Sequence, residues 1–200
     1  MEFEYYPDLE IEEGHNKGAS FWIMPIKMVK PDYKCKKGEQ EYCDGIVEHR
    51  ASEISIEESN IESFLWEFFL RHFNHDLTMN YRVLDGDTEY KDFEWNLTLN
   101  IYSYNDIRNL LADIQEKIPL MRENLNSSIL EPFVKHFPQP PCTAIIGRQL
   151  IPLNRTAEEI HAYRLEHLGL FIDFYERFCK RMEKMLQDNP TYNHISVMGP

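Results

Sequence analysis

The residues most able to do chemistry lie in a few short clusters. His72-Phe73-Asn74-His75-Asp76 sets two imidazoles and a carboxylate within five residues, types that suit a transition metal or proton transfer. Two histidines three residues apart at a helix end supply at most two ligands, and no HExxH pattern accompanies them. Histidines near a helix C-terminus also suit the helix dipole, so His72 and His75 are read as structural. A second stretch holds Glu159, His161, Glu166 and His167. Its two histidines are six residues apart, which puts them on different faces of a helix.

Asp85-Gly86-Asp87-Thr88-Glu89 opens like a calcium loop. Tyr90 stands where the sixth-position glycine belongs, and Asn96 where the twelfth-position acid belongs, so a hairpin turn is the better reading. His49 and Arg50 with Glu53, or Cys142 with a distant histidine, offer pairings that spacing alone does not orient. No G-x-S-x-G elbow, Walker loop or GxGxxG occurs. No catalytic residue, cofactor or metal ligand is therefore assigned.

The four cysteines fit neither a disulfide scaffold nor zinc. Cys35 and Cys43 have seven residues between them, and Cys142 and Cys179 lie far away. The sequons at Asn96, Asn126 and Asn154 are read as chance matches. The opening residues, MEFEYYPDLEIEEG, lack the basic and apolar stretches of a signal peptide. No run approaches the ~18 apolar residues of a membrane span. A cytoplasmic protein without membrane contact is expected.

Acidic residues outnumber basic ones 34 to 21, for a net charge of −13, which disfavours nucleic acid. Arg177, Lys180, Arg181 and Lys184 form a basic ridge, read as a solvated helix face. The remaining signal is distributed. Residues 1–13 and 39–63 carry fourteen acids against the single base Arg50. Glu10, Glu12, Glu13, Glu48, Glu53, Glu57 and Glu58 are the candidate face, since a negative surface attracts a basic partner. The expected function is non-enzymatic protein binding, of an inhibitor or immunity type. The alternative is an enzyme whose His/carboxylate pocket no linear motif shows.

These residues need elements to position them. Asp92–Tyr102 alternates Phe93, Trp95, Leu97, Leu99 and Ile101 with Glu94, Asn96, Thr98 and Asn100. That period places the apolar set on a buried sheet face and the polar set, Asn100 included, on a more exposed one. Phe21–Met28 reads as an edge or bent strand because of Pro25. Ile46–Ile56 reads as one further strand, and Met79–Leu84 as another before the Asp85-Gly86 turn.

Ser59 and Glu62 form a capping box for a helix carrying Ile61, Phe64, Leu65, Phe68, Phe69 and Phe73. Ser103 caps a second helix, with a break expected around Pro119–Asn126. A short helix follows over Ser127–Phe137, and a short strand over Thr143–Ile146. Thr156 and Glu159 open the longest helix, whose stripe runs through His167, Phe171, Phe174, Tyr175, Phe178, Met182 and Met185 to about Gln187. Gly169 within it suggests a bend or a close crossing.

The fold class is α+β, a single domain over residues 1–200. Residues 1–102 form mainly an antiparallel sheet of four to six strands with one helix, 103–188 are mainly helical, and 189–200 are a loose tail. The stripe is broad enough that a homodimer is expected through the C-terminal helix at Phe174, Phe178 and Met182. In it the basic ridge would meet an acidic segment of the second copy.

Overall fold

A computed structural model describes residues 9–14, 19–28, 46–49, 54–73, 99–146 and 149–199. Its centre is an antiparallel sheet in the order β1 (Ile11–Glu13), β4 (Ile54–Glu57), β2 (Ser20–Met28), β8 (His194–Met198), β5 (Leu99–Ser103). Strand β3 (Ile46–His49) also pairs with β2. The α+β class and the antiparallel sheet thus stand as the alternation predicts.

Two strand assignments change. The tail is not loose: His194–Met198 lies between β2 and β5 and pairs with both. Five residues with only Ile195 and Val197 as a periodic signal are too few to announce a strand.

Pro25 does not mark an edge strand, for β2 has partners on both sides. Its β4 pairs end at Ile23 and its β3 pairs begin at Ile26, so Pro25 has a described partner only in β8, Ile195. Residues 50–53, between β3 and β4, lie outside the described residues. The described parts of Ile46–Ile56 are β3 and β4, which pair in succession along one side of β2.

Asn100 is 1% exposed, not solvated, and its Nδ2 donates to Val197 O at 3.3 Å. Asn100 and Tyr102 pair with Val197 and Ile195, both members of the main core cluster. Their face of the sheet is therefore the helix-packed one. Ile101, Met24 and Ile26 have the opposite parity and are buried too, outside that cluster. The sheet is covered on both faces, so alternation sorts side chains by face but not by exposure. Phe93, Trp95, Leu97, Glu94 and Thr98 lie outside the described residues, as do Met79–Leu84 and the Asp85-Gly86 turn.

A continuous helical run leaves β4 as α1 (Glu58–Asn60), a π turn (Ile61–Leu65) and α2 (Trp66–Arg71). Ser59 is not its cap. Glu57 holds that position without a side-chain capping bond, and the Glu58 N–H donates to Ala19 O at 3.0 Å. The sheet satisfies a donor that a capping side chain would otherwise take. In the π turn the Trp66 N–H donates to Ile61 O, five residues back.

Helix α3 (Tyr104–Glu123) starts at a complete capping box. Ser103 Oγ accepts from the Asp106 N–H at 3.1 Å, and the Ser103 N–H donates to Asp106 Oδ2 at 2.9 Å. The helix does not break at Pro119 but runs on to Glu123. A proline inside a helix costs ~3 kcal/mol or more. The burial of Met121 and Leu125 beyond it favours continuation.

Helix α4 (Glu131–Val134) is shorter than the sequence suggests, and β6 (Thr143–Ile146) pairs with β7 (Gln149–Pro152) as a separate hairpin. Helix α5 (Ala157–Asp188) begins at the Thr156–Glu159 box, with both reciprocal bonds formed. Gly169 is exposed, with nothing within 4 Å of where a Cβ would stand, so it marks no close crossing.

The core lies between the helices and the sheet. Phe64 is its hub, with ring centroids 5.2 Å from Phe137, 5.2 Å from Phe171 and 5.1 Å from Phe174. Each such pair contributes roughly 0.5–1.5 kcal/mol beyond its buried area. Two buried tyrosines from different elements pin the same helical run. Tyr175 Oη donates to Phe64 O in the π turn, and Tyr102 Oη to Phe69 O, both at 2.9 Å. Burial pushes both hydroxyls well above their ordinary pKa. Each therefore stays a neutral donor, as a buried carbonyl requires. No described helix is long and apolar enough to cross a membrane.

Candidate functional site

The β1–β4 pairing decides the geometry of the acidic residues. Ile11 lies opposite Ile56, Glu12 opposite Ser55, and Glu13 opposite Ile54. Continuing that register puts Glu10 opposite Glu57. Ile11, Ile54 and Ile56 belong to the core under the helices, so Glu13 points toward the helix side. Glu10, Glu12 and Glu57 share the other side, and all three are exposed. Glu58 stands partly exposed at the start of α1. Like charges on neighbouring strands repel one another, and an approaching cation relieves that repulsion.

Glu13 is separated from this group by a contact within the chain. Arg181 of α5 donates to its Oε1. That hydrogen bond, then the guanidinium's charge and that of Lys184, hold the Glu13 carboxyl below its ordinary pKa. Four residues earlier on α5, Arg177 donates Nε to Asp173 at 2.7 Å and Nη2 to Leu9 O at 3.0 Å. The basic ridge therefore meets an acidic segment of its own chain. Glu48 is in β3, and Glu53 lies outside the described residues. The structure thus gathers Glu10, Glu12 and Glu57, and diverts Glu13.

Phe174, Phe178 and Met182 are each 0% exposed within one chain. The stripe is covered by the protein's own helices and sheet. The sequence-based expectation of a second copy has no exposed surface there to rest on.

The histidines disperse. His161 Nε2 lies 3.3 Å from Asn126 Nδ2. His167 is buried, donates Nδ1–H to Tyr163 O at 2.8 Å and stacks on the Tyr163 ring with centroids 4.1 Å apart. Glu159 is engaged in the α5 cap, and Glu166 is exposed. His75 and Asp76 lie outside the described residues, as do Cys35, Cys43, Arg50 and the Asp87–Asn96 stretch.

His72 gains a partner that sequence reasoning missed. Its Nε2 lies 3.3 Å from Asp113 Oδ2 of α3. Asp113 Oδ1 also accepts from Lys117 Nζ at 2.9 Å, an i,i+4 pair that the sequence does carry. Burial works against the Lys117 charge, but hydrogen bonds to Asp113 and Glu116 outweigh it and raise the ammonium's pKa. The Arg71 guanidinium sits 4.4 Å above the Phe133 ring beside this trio. The cluster ties α2, α3 and α4 together. A groove of about 380 Å³ between α3 and α5, floored by Tyr104, Leu111 and Leu186, lies elsewhere and is lined by no histidine. Among the described residues no group of three or more His, Cys, Asp or Glu is placed to hold a metal.

Comparison with known protein families, curated proteins and solved structures returns no match.

Proposed function

We propose that this protein is a binding protein that engages a basic protein partner through the β1–β4 edge of its sheet. The supporting observation is that Glu10, Glu12 and Glu57, each exposed, share the side of two paired strands that faces away from the helices. Strand pairing spaces these carboxylates while β1 is docked, so a partner's lysines and arginines meet charge already gathered. The net charge of −13 steers the same partner at longer range. The enzymatic alternative draws on His72 and Asp113, but that pair is shared with Lys117 and stands apart from the α3–α5 groove.

The test is capture of partners from the source organism with the wild type and a Glu10→Lys, Glu12→Lys, Glu57→Lys variant. Circular dichroism confirms that the variant is folded. A basic protein retained by the wild type at low salt, released at high salt and ignored by the variant is the expected result. A partner that binds both equally at every salt concentration would remove the acidic edge from the mechanism.

A further inference from the structure

We infer that Leu9–Gly14 is a salt-sensitive strap, latched to α5 by Arg177 and Arg181, whose release takes its contacts away from that helix's basic ridge while the rest of the fold stays closed. Four observations converge on it. The strand inside the strap is only three residues long, and among the described residues it pairs with β4 alone. Its apolar anchors, Leu9 and Ile11, are each 9% exposed, among the least buried members of the core. The latch joins residues 168 apart in sequence and sits in solvent, with the Arg181 and Glu13 side chains 39% and 72% exposed. The strap ends at Gly14, whose φ of +85° suits glycine. There Ser55 Oγ donates to Gly14 O at 2.8 Å and fixes the hinge.

The physical consequence is a separation of sensitivities. Exposed ion pairs weaken with added salt, whereas apolar burial does not. Raising salt therefore loosens the latch and leaves the aromatic core under α5 unchanged. Release also frees Arg181 and the Nη2 donor of Arg177, which stays paired with Asp173, beside Lys180 and Lys184, a row of cations suited to a carboxylate-bearing segment of a partner. In the closed state Glu13 plays that part. The strap also carries Glu10 and Glu12, but the inference rests on Glu13 and the helix side of β1, and its exchange test needs no partner, so its failure leaves the proposed acidic edge standing.

The experiment is residue-resolved hydrogen exchange on the full chain between about 0.01 M and about 1 M salt, where the screening length falls from about 30 Å to about 3 Å. Exchange at Ile11–Glu13 is expected to rise roughly two- to five-fold, the range for an exposed ion pair. Exchange around Phe174 and Phe178 is expected to stay constant. Glu13→Gln should exchange fast at both salt levels. The charge exchange Glu13→Arg with Arg181→Glu should restore protection at low salt. Salt-independent exchange at residues 11–13 in the wild type, or a rise that spreads equally through α5, would overturn the strap.

Discussion

The two flanks of α5 hold the protein together in different ways. On one flank Phe171, Phe174, Tyr175 and Phe178 are fully buried against Phe64, Phe69 and Phe137. On the other, Arg177 reaches the partly buried backbone of Leu9, and Arg181 the carboxylate of Glu13 in solvent. The first flank depends on area removed from water and on close packing, which is non-directional and cumulative. The second depends on a few charged hydrogen bonds that water and ions compete for. One helix thus carries a permanent contact and an adjustable one, set by which residue types fall on which side of a 3.6-residue repeat.

The strongest test of this contrast lies at its hub. Phe64→Ala should cost ~3–5 kcal/mol in denaturant unfolding through lost burial and a cavity, with little change between low and high salt. A cost below about 1 kcal/mol, small even for a generic core truncation, would show that the aromatic cluster does not hold the fold.

Tyr175→Phe sharpens the same flank. It keeps the ring but leaves the Phe64 carbonyl without the hydroxyl that donates to it. The expected cost is ~1–3 kcal/mol. An unchanged unfolding midpoint would mean that this carbonyl is satisfied in another way.

Gly169→Ala tests the boundary between the buried and exposed parts of the helix. Nothing stands near the site of the new methyl group, so only the backbone preference changes. Stability should rise by ~0.5–1 kcal/mol. A loss of stability would reveal a contact that the geometry does not show.

The smallest effect belongs to the acidic edge. Glu12→Lys, at an exposed strand position, should alter stability by less than ~0.5 kcal/mol while weakening capture of a basic partner. A large stability change would make Glu12 part of the fold and not of a docking surface.

What the sequence determined by itself was local. Ser103 with Asp106 and Thr156 with Glu159 cap their helices because the bonds span three residues and need no other element. The stripe from Phe171 to Met185 is buried because helical periodicity collects it on one side. The tertiary structure decided everything that depended on remote partners. Asn100 is buried by a strand 97 residues away, and Tyr175 binds a carbonyl 111 residues away. The β4–α1 junction meets its first donor through Ala19, so the Ser59 box has no role as a cap. Pro25 lies in a central strand because β8, from the far end of the chain, pairs along the side of β2 away from β3 and β4. The candidate acidic face was legible as composition, but its division was not. Strand register alone sends Glu13 to Arg181 and leaves Glu10, Glu12 and Glu57 together. A shift of one residue would reverse those assignments, since side chains alternate faces with period two; the alternation of Leu9 and Ile11 with Glu10 and Glu12 opposes that slip, but the partner of Glu13 lies 168 residues away.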